Sequence, residues 1–155
     1  MLKKTHPILL CLIIVLMAGC AKLKETEFRR IENFGLKKME LERATIGFSV
    51  TYFNPNNSSV NVKEAVADIY LDTVYMGKFV QDKTVDVGKN SEFSIPFSGT
   101  IPLQKVLKLG LNDIAQRSVQ LRADGSVKVG KAGIYVTRPI QYSGHHRLDE
   151  IKLRP

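Results

Sequence analysis

Cysteine, histidine and long apolar runs are all scarce in this chain. Its 155 residues include two cysteines, Cys11 and Cys20, and three histidines, His6, His145 and His146. The uninterrupted apolar run, Ile8 to Met17, is too short to span a bilayer as a helix. Gly-X-Ser-X-Gly is absent, and Gly88-Lys89 and Gly130-Lys131 lack the spacing of a phosphate-cradling loop. A metal site would need further ligands to converge on His145-His146. Adjacent residues of an extended segment face opposite ways, and no second histidine cluster supplies the rest of a set. The pair reads as solvated tail. Asp68, Asp72, Asp82 and Asp86 fall on outward positions and form an acid/base pair only by an accident of folding. No catalytic constellation, metal site or cofactor is expected, and an enzyme is the least favoured class.

What the N-terminus does hold is a targeting pattern. Lys3 and Lys4 precede the apolar run, which has the length of a signal-peptide core, and Ala18-Gly19-Cys20 follows it directly. This arrangement resembles the lipobox of bacterial lipoproteins, with Met17 where that family prefers Leu. The resemblance implies cleavage between Gly19 and Cys20, lipid on the Cys20 sulfur and acylation of the new terminus. Residues 1–19 then leave as a signal peptide and take Cys11 with them, so one mature chain contains no disulfide. Several acyl chains on Cys20 make a stable membrane anchor, where a single chain binds only marginally. Ala21 stands where the lipoprotein family carries an Asp as its inner-membrane retention signal. The resemblance therefore implies the outer membrane, facing the periplasm, if the source has two membranes.

Residues 20–27 are expected to form the lipidated tether, with one domain over 28–143 and a polar, basic tail over 144–155. Loss of Lys3 and Lys4 lowers the formal charge from +8 to +6. The remaining cations are dispersed, which reads as a solvated surface rather than a polyanion site. Nucleic acid is not an expected partner: no stacking-aromatic or zinc-finger pattern accompanies the charges.

The domain is organised around Ala44 to Ser58. Ile46, Phe48, Val50 and Tyr52 alternate with Thr45, Gly47, Ser49 and Thr51, the period that puts one set of side chains on a core face. Asn54-Pro55-Asn56-Asn57 then stops the ladder, since Pro55 has no N–H and the Asn side chains bond their own backbone. Two short strands are expected before it, near Glu27 to Glu32 and Leu36 to Glu42, around turn chemistry at Asn33 and Gly35. After it come Val60 to Asp72 with Ala65, Ala67, Ile69 and Leu71 inward, a return through Met76-Gly77 with Gly77 at a bulge or close approach, and Thr84 to Val87. Phe93, Ile95 and Phe97 follow, with Pro96 marking an edge or bulge. Leu103, Val106, Leu107, Leu111 and Ile114 recur at three and four, predicting one helix over Pro102 to Gln116, weakened by Gly110. Val119 to Ala123 and Val127 to Val129 are expected to form a hairpin around Asp124-Gly125-Ser126, before a final strand from Ile134 to Tyr142. Short alternating strands between Gly, Asn and Pro turns predict an antiparallel β-sandwich, immunoglobulin- or fibronectin-like, with one α-helix.

This order of strand, Asn54-Pro55-Asn56, Val-rich strand, Tyr70-Leu71-Asp72 hairpin with Met76-Gly77, alternating-Phe strand, helix and closing strands resembles the late embryogenesis abundant type 2 family, also called the WHy domain. The likeness covers about Phe28 to Tyr142. It implies a small β-sandwich with one helix and no enzymatic activity, associated with desiccation and other stress, in which Asn54, Pro55 and Asn56 are signature residues with a structural role. The expected function is therefore that of a membrane-anchored envelope lipoprotein protecting client proteins or membrane under stress. The alternative is an interaction module that docks one envelope partner, by strand addition near Pro96. A third reading, a carrier with a small ligand between helix and sheet, is the one a deep apolar pocket favours.

Overall fold

The alternating segments become strands nearly everywhere, and they are longer than the turn signals imply. The computed structural model describes residues 23–108 and 118–147. In chain order these form β1 (Glu27–Met39), β2 (Arg43–Asn54), β3 (Val60–Leu71), β4 (Val74–Gln81), β5 (Val85–Val87), β6 (Ser91–Pro102), helix α1 (Leu103–Lys108), β7 (Ser118–Lys131) and β8 (Ile134–Arg147). The protein is mainly β and every strand pairing is antiparallel. Hydrogen bonds join the strands into one sheet in the order β1-β2-β6-β4-β3-β7-β8, with β5 on the start of β3. The sheet curls into a half-barrel. Its end strands β1 and β8 do not pair, yet Phe28 and Tyr142 meet with ring centroids 6.0 Å apart.

The core is the inner face of this curl. Ala65, Met76, Phe79, Val87, Ile95 and Phe97 are buried there, while the outer face carries charge and hydroxyls, the one-sided solvation common in antiparallel sheets. On that outer face Lys37 reaches Asp82 at 2.5 Å, and Arg30 bridges Glu32 and Glu92, each at 3.1 Å.

Five expectations change at this level. The segment read as two short strands is the single strand β1: Asn33, at φ 56°, absorbs the irregularity as a bulge rather than a break. Asp124-Gly125-Ser126 is no turn, because β7 runs straight through it, pairing Gly125 with Ala67 and Ile140. Glycine stands there for contact and not for turning: a Cβ at Gly125 would lie 1.9 Å from the Val66 carbonyl oxygen. Pro96 sits in β6, between β2 and β4, and not on an edge strand. Its carbonyl accepts the Asp82 N–H at 2.9 Å, so its imide nitrogen faces the same side, just past the end of β4, where no ladder donor is needed. Helix α1 spans Leu103–Lys108, and Pro102 closes β6 instead of opening the helix; Gly110, Leu111 and Ile114 lie outside the described residues. The last strand also continues to Arg147, beyond the expected start of the tail at residue 144.

Other expectations match. Ala65 and Ala67 are buried, and Ile69 and Leu71 face the interior. Gly77 sits at a register shift, where a Cβ would lie 2.9 Å from the Thr100 carbonyl oxygen.

Candidate functional site

Two places carry more structure than a sheet requires: the apolar interior and the turn after β2. The first follows from alternation. Ile46, Phe48, Val50 and Tyr52 of β2 point inward, and residues of β1, β3, β4, β6, β7 and β8 complete a wall around a cavity of about 390 Å³. Aromatic rings line it in pairs, Phe48 with Phe79 at 5.3 Å and with Phe97 at 5.7 Å, and Phe28 edge-on to Tyr52 at 6.0 Å. Protein interiors seldom leave voids larger than a water molecule. This space is partly open to solvent, a groove inside the curl rather than a sealed void. Walls of this kind also offer water few partners.

Polar groups in the described wall are the hydroxyls of Tyr52 and Tyr142 and the ring of His146. Tyr142 and His146 bond to each other, hydroxyl to Nε2, with stacked rings. The hydroxyl of the partly buried Tyr52 makes no hydrogen bond to another described residue and stays accessible to solvent or a ligand. Burial, and then the neighbouring Tyr142 phenol, push Tyr52 above the ordinary tyrosine range.

At the turn, Asn54 is almost wholly buried, at 3% exposure. Its Nδ2 donates to the carbonyls of Ser58 at 3.0 Å and Gly88 at 2.7 Å. Its Oδ1 accepts from the Asn56 backbone N–H at 3.1 Å and from Asn56 Nδ2 at 3.0 Å. Asn56 in turn grips the backbone of Lys24 on both sides, accepting its N–H and donating to its carbonyl, each at 2.8 Å. The Asn56 carbonyl accepts the Asn90 N–H at 3.0 Å. One turn thus ties together the β2–β3 connection, the β5–β6 loop and the segment entering β1. The Asn side chains make turn bonds as expected from sequence; the grip on Lys24 and Gly88 was not legible there.

The other sequence-predicted residues are scattered. Asp68 accepts the Tyr75 hydroxyl at 2.8 Å and lies opposite Asp124 across β3 and β7. Asp82 bonds Lys37 and Ser98, and Asp86 bonds Asn61. Burial raises Asp82, but the bonds from Lys37 and Ser98 outweigh it and leave the carboxyl below its usual range. Among the described residues no three of His, Cys, Asp and Glu are grouped to hold a metal ion. Cys20 and Gly19 lie outside the described residues. His145 is exposed while His146 faces the interior, so half of the supposed tail pair belongs to the wall. Continuing the period of two from Ile140 and Tyr142 through Gly144 would have found it.

No family model and no curated protein matches the chain. Solved structures do. A crystal structure of a protein from Archaeoglobus fulgidus superposes with a TM-score of 0.51 at 10% identity, covering 81% of this chain and 100% of that one. A solution structure of an Arabidopsis thaliana protein gives 0.52 at 13% identity, covering 86% of this chain and 90% of that one. The likeness is one of fold. At these identities it extends to the strand arrangement and to no residue of the interior or the turn. Among the described residues no helix is long and apolar enough to cross a membrane.

Proposed function

We propose that this protein is a lipid-anchored, non-enzymatic envelope protein of the late embryogenesis abundant type 2 (WHy) family, its curled sheet closed as a two-layered immunoglobulin-like sandwich. It protects neighbouring proteins or membrane during desiccation or related stress. The observation that carries the reading is the Asn54-Asn56 turn. It holds Lys24 by two hydrogen bonds, and Lys24 is four residues from Cys20, at most about 14 Å of extended chain. A lipid on Cys20 keeps the Asn-Pro-Asn end of the domain against the bilayer, at high local concentration. The polar outer face then separates partly dehydrated clients. The site of action is the outer membrane, facing the periplasm, where the source has two membranes. Aggregation of a freeze-dried reporter enzyme tests the role: the domain lowers it, and no difference from an inert protein at equal mass refutes the proposal.

A second reading, docking of one envelope partner by strand addition, is favoured by the outer edge of β8, which no other described strand pairs and where Ile134 is 78% and Val136 48% exposed. The edge it would use is β8 rather than the neighbourhood of Pro96. Capture of one stoichiometric partner, lost on Val136→Pro, supports it; no such partner refutes it.

A further inference from the structure

We propose that the interior of the half-barrel is a binding site for one long-chain fatty acid, with the hydrocarbon in the apolar cavity and the carboxyl at the hydroxyl of Tyr52. The inference goes beyond the protective reading and does not depend on it.

Length argues for an extended chain. Ile46 to Tyr52 is six residue steps of strand, so the lining along β2 extends about 20 Å. An apolar groove of that length suits an extended hydrocarbon chain lying along β2. The volume also falls within the range of ordinary ligand pockets. Wall chemistry argues for an amphiphile polar at one end only. Aliphatic and aromatic groups make up the wall apart from the two tyrosine hydroxyls and His146. Tyr142 and His146 are engaged with each other, which leaves the Tyr52 hydroxyl as the unengaged donor among the described wall residues, at one end of the β2 line. Phe28 touches the rings of both Tyr52 and Tyr142 at 6.0 Å and brings the sheet's two end strands together beside that hydroxyl. Since β1 and β8 share no ladder, a chain can enter between them without breaking sheet hydrogen bonds.

The test is titration of the full chain carrying Cys20→Ser, so that no lipid of its own competes, with the fluorescent fatty acid cis-parinaric acid. Saturable binding at one site per chain is expected. Ala123→Phe, which places a ring in the cavity, weakens binding at least tenfold, and Tyr52→Phe, which keeps the wall and removes the donor, weakens it about 5- to 10-fold. Absence of saturable binding, or binding that both variants leave unchanged, overturns the site. Should Ala123→Phe fail to fold by circular dichroism, Tyr52→Phe alone decides. Phosphatidylcholine vesicles supply the other source of acyl chains: failure to displace the probe is expected, and displacement as strong as that by free palmitate overturns the single-chain assignment. Reporter-enzyme protection is read separately, so either claim can fail alone.

Discussion

Replacing Asn54 by Ala tests the idea that the Asn-Pro-Asn turn is a structural clamp. The side chain makes four hydrogen bonds, two donated to the Ser58 and Gly88 carbonyls and two accepted from Asn56. Each bond contributes about 1 kcal/mol net, and the half-buried Asn56 groups recover part of theirs from water, so the expected loss is about 3 kcal/mol. For a domain of this size that lowers Tm by about 10 °C. Asn54→Asp sharpens the argument. It keeps the acceptor for Asn56 but turns a carboxylate on two carbonyl oxygens. Burial and those oxygens raise the folded carboxyl value, so the stability the variant retains is present below the unfolded value near about 3.9 and is lost as pH rises through the folded one. Urea unfolding followed by circular dichroism at pH 4 and pH 7 reads both effects. An alanine variant melting within about 2 °C of the parent, or an aspartate variant more stable at pH 7 than at pH 4, refutes the clamp.

Gly125→Ala forces a Cβ toward the Val66 carbonyl oxygen, and the backbone of β3 or β7 must shift; we expect a loss of about 3 kcal/mol in urea unfolding. Ala132 holds φ 51° in the β7–β8 turn, beside Gly133 at 85°. Ala132→Asn therefore stabilises by about 0.5 to 1 kcal/mol, read as a higher Tm, because Asn-Gly suits two left-handed turn positions. The Thr51 hydroxyl at 2.6 Å, and then Arg30, hold the Glu32 carboxyl below its usual range. A depressed carboxyl adds stability above its unfolded value and loses it as pH falls through the folded one. Glu32→Gln is thus less stable than the parent at pH 7, and the gap closes on acidification below about pH 4 in parallel urea titrations.

Strand positions and the inward sets of β2 and β3 were legible in the sequence because one face is apolar and the other is not, and that pattern fixes register. Glycine was harder to interpret. Asp124-Gly125-Ser126 has the composition of a turn, but its glycine answers to a backbone on the neighbouring strand, a contact between residues far apart in sequence. Pro96 misled in the same way: whether a proline tolerates a central strand depends on where the next strand ends, and β4 ends at Gln81. Of the candidate sites, Asn54 and Asn56 were found as turn residues by local chemistry. The cavity was not, since its volume depends on how tightly seven strands curl. His146 was set aside with His145 as polar tail because no further ligands accompanied the pair, although the same alternation that separates the two residues puts one of them on the inner face.

The claim that fixes where this protein acts is lipidation of Cys20, and the direct measurement is the mass of the N-terminal peptide of the protein purified from membranes of its own source. The expected peptide begins at Cys20 and carries a diacylglycerol and an acyl chain. An unmodified peptide that begins at Met1 would contradict that claim.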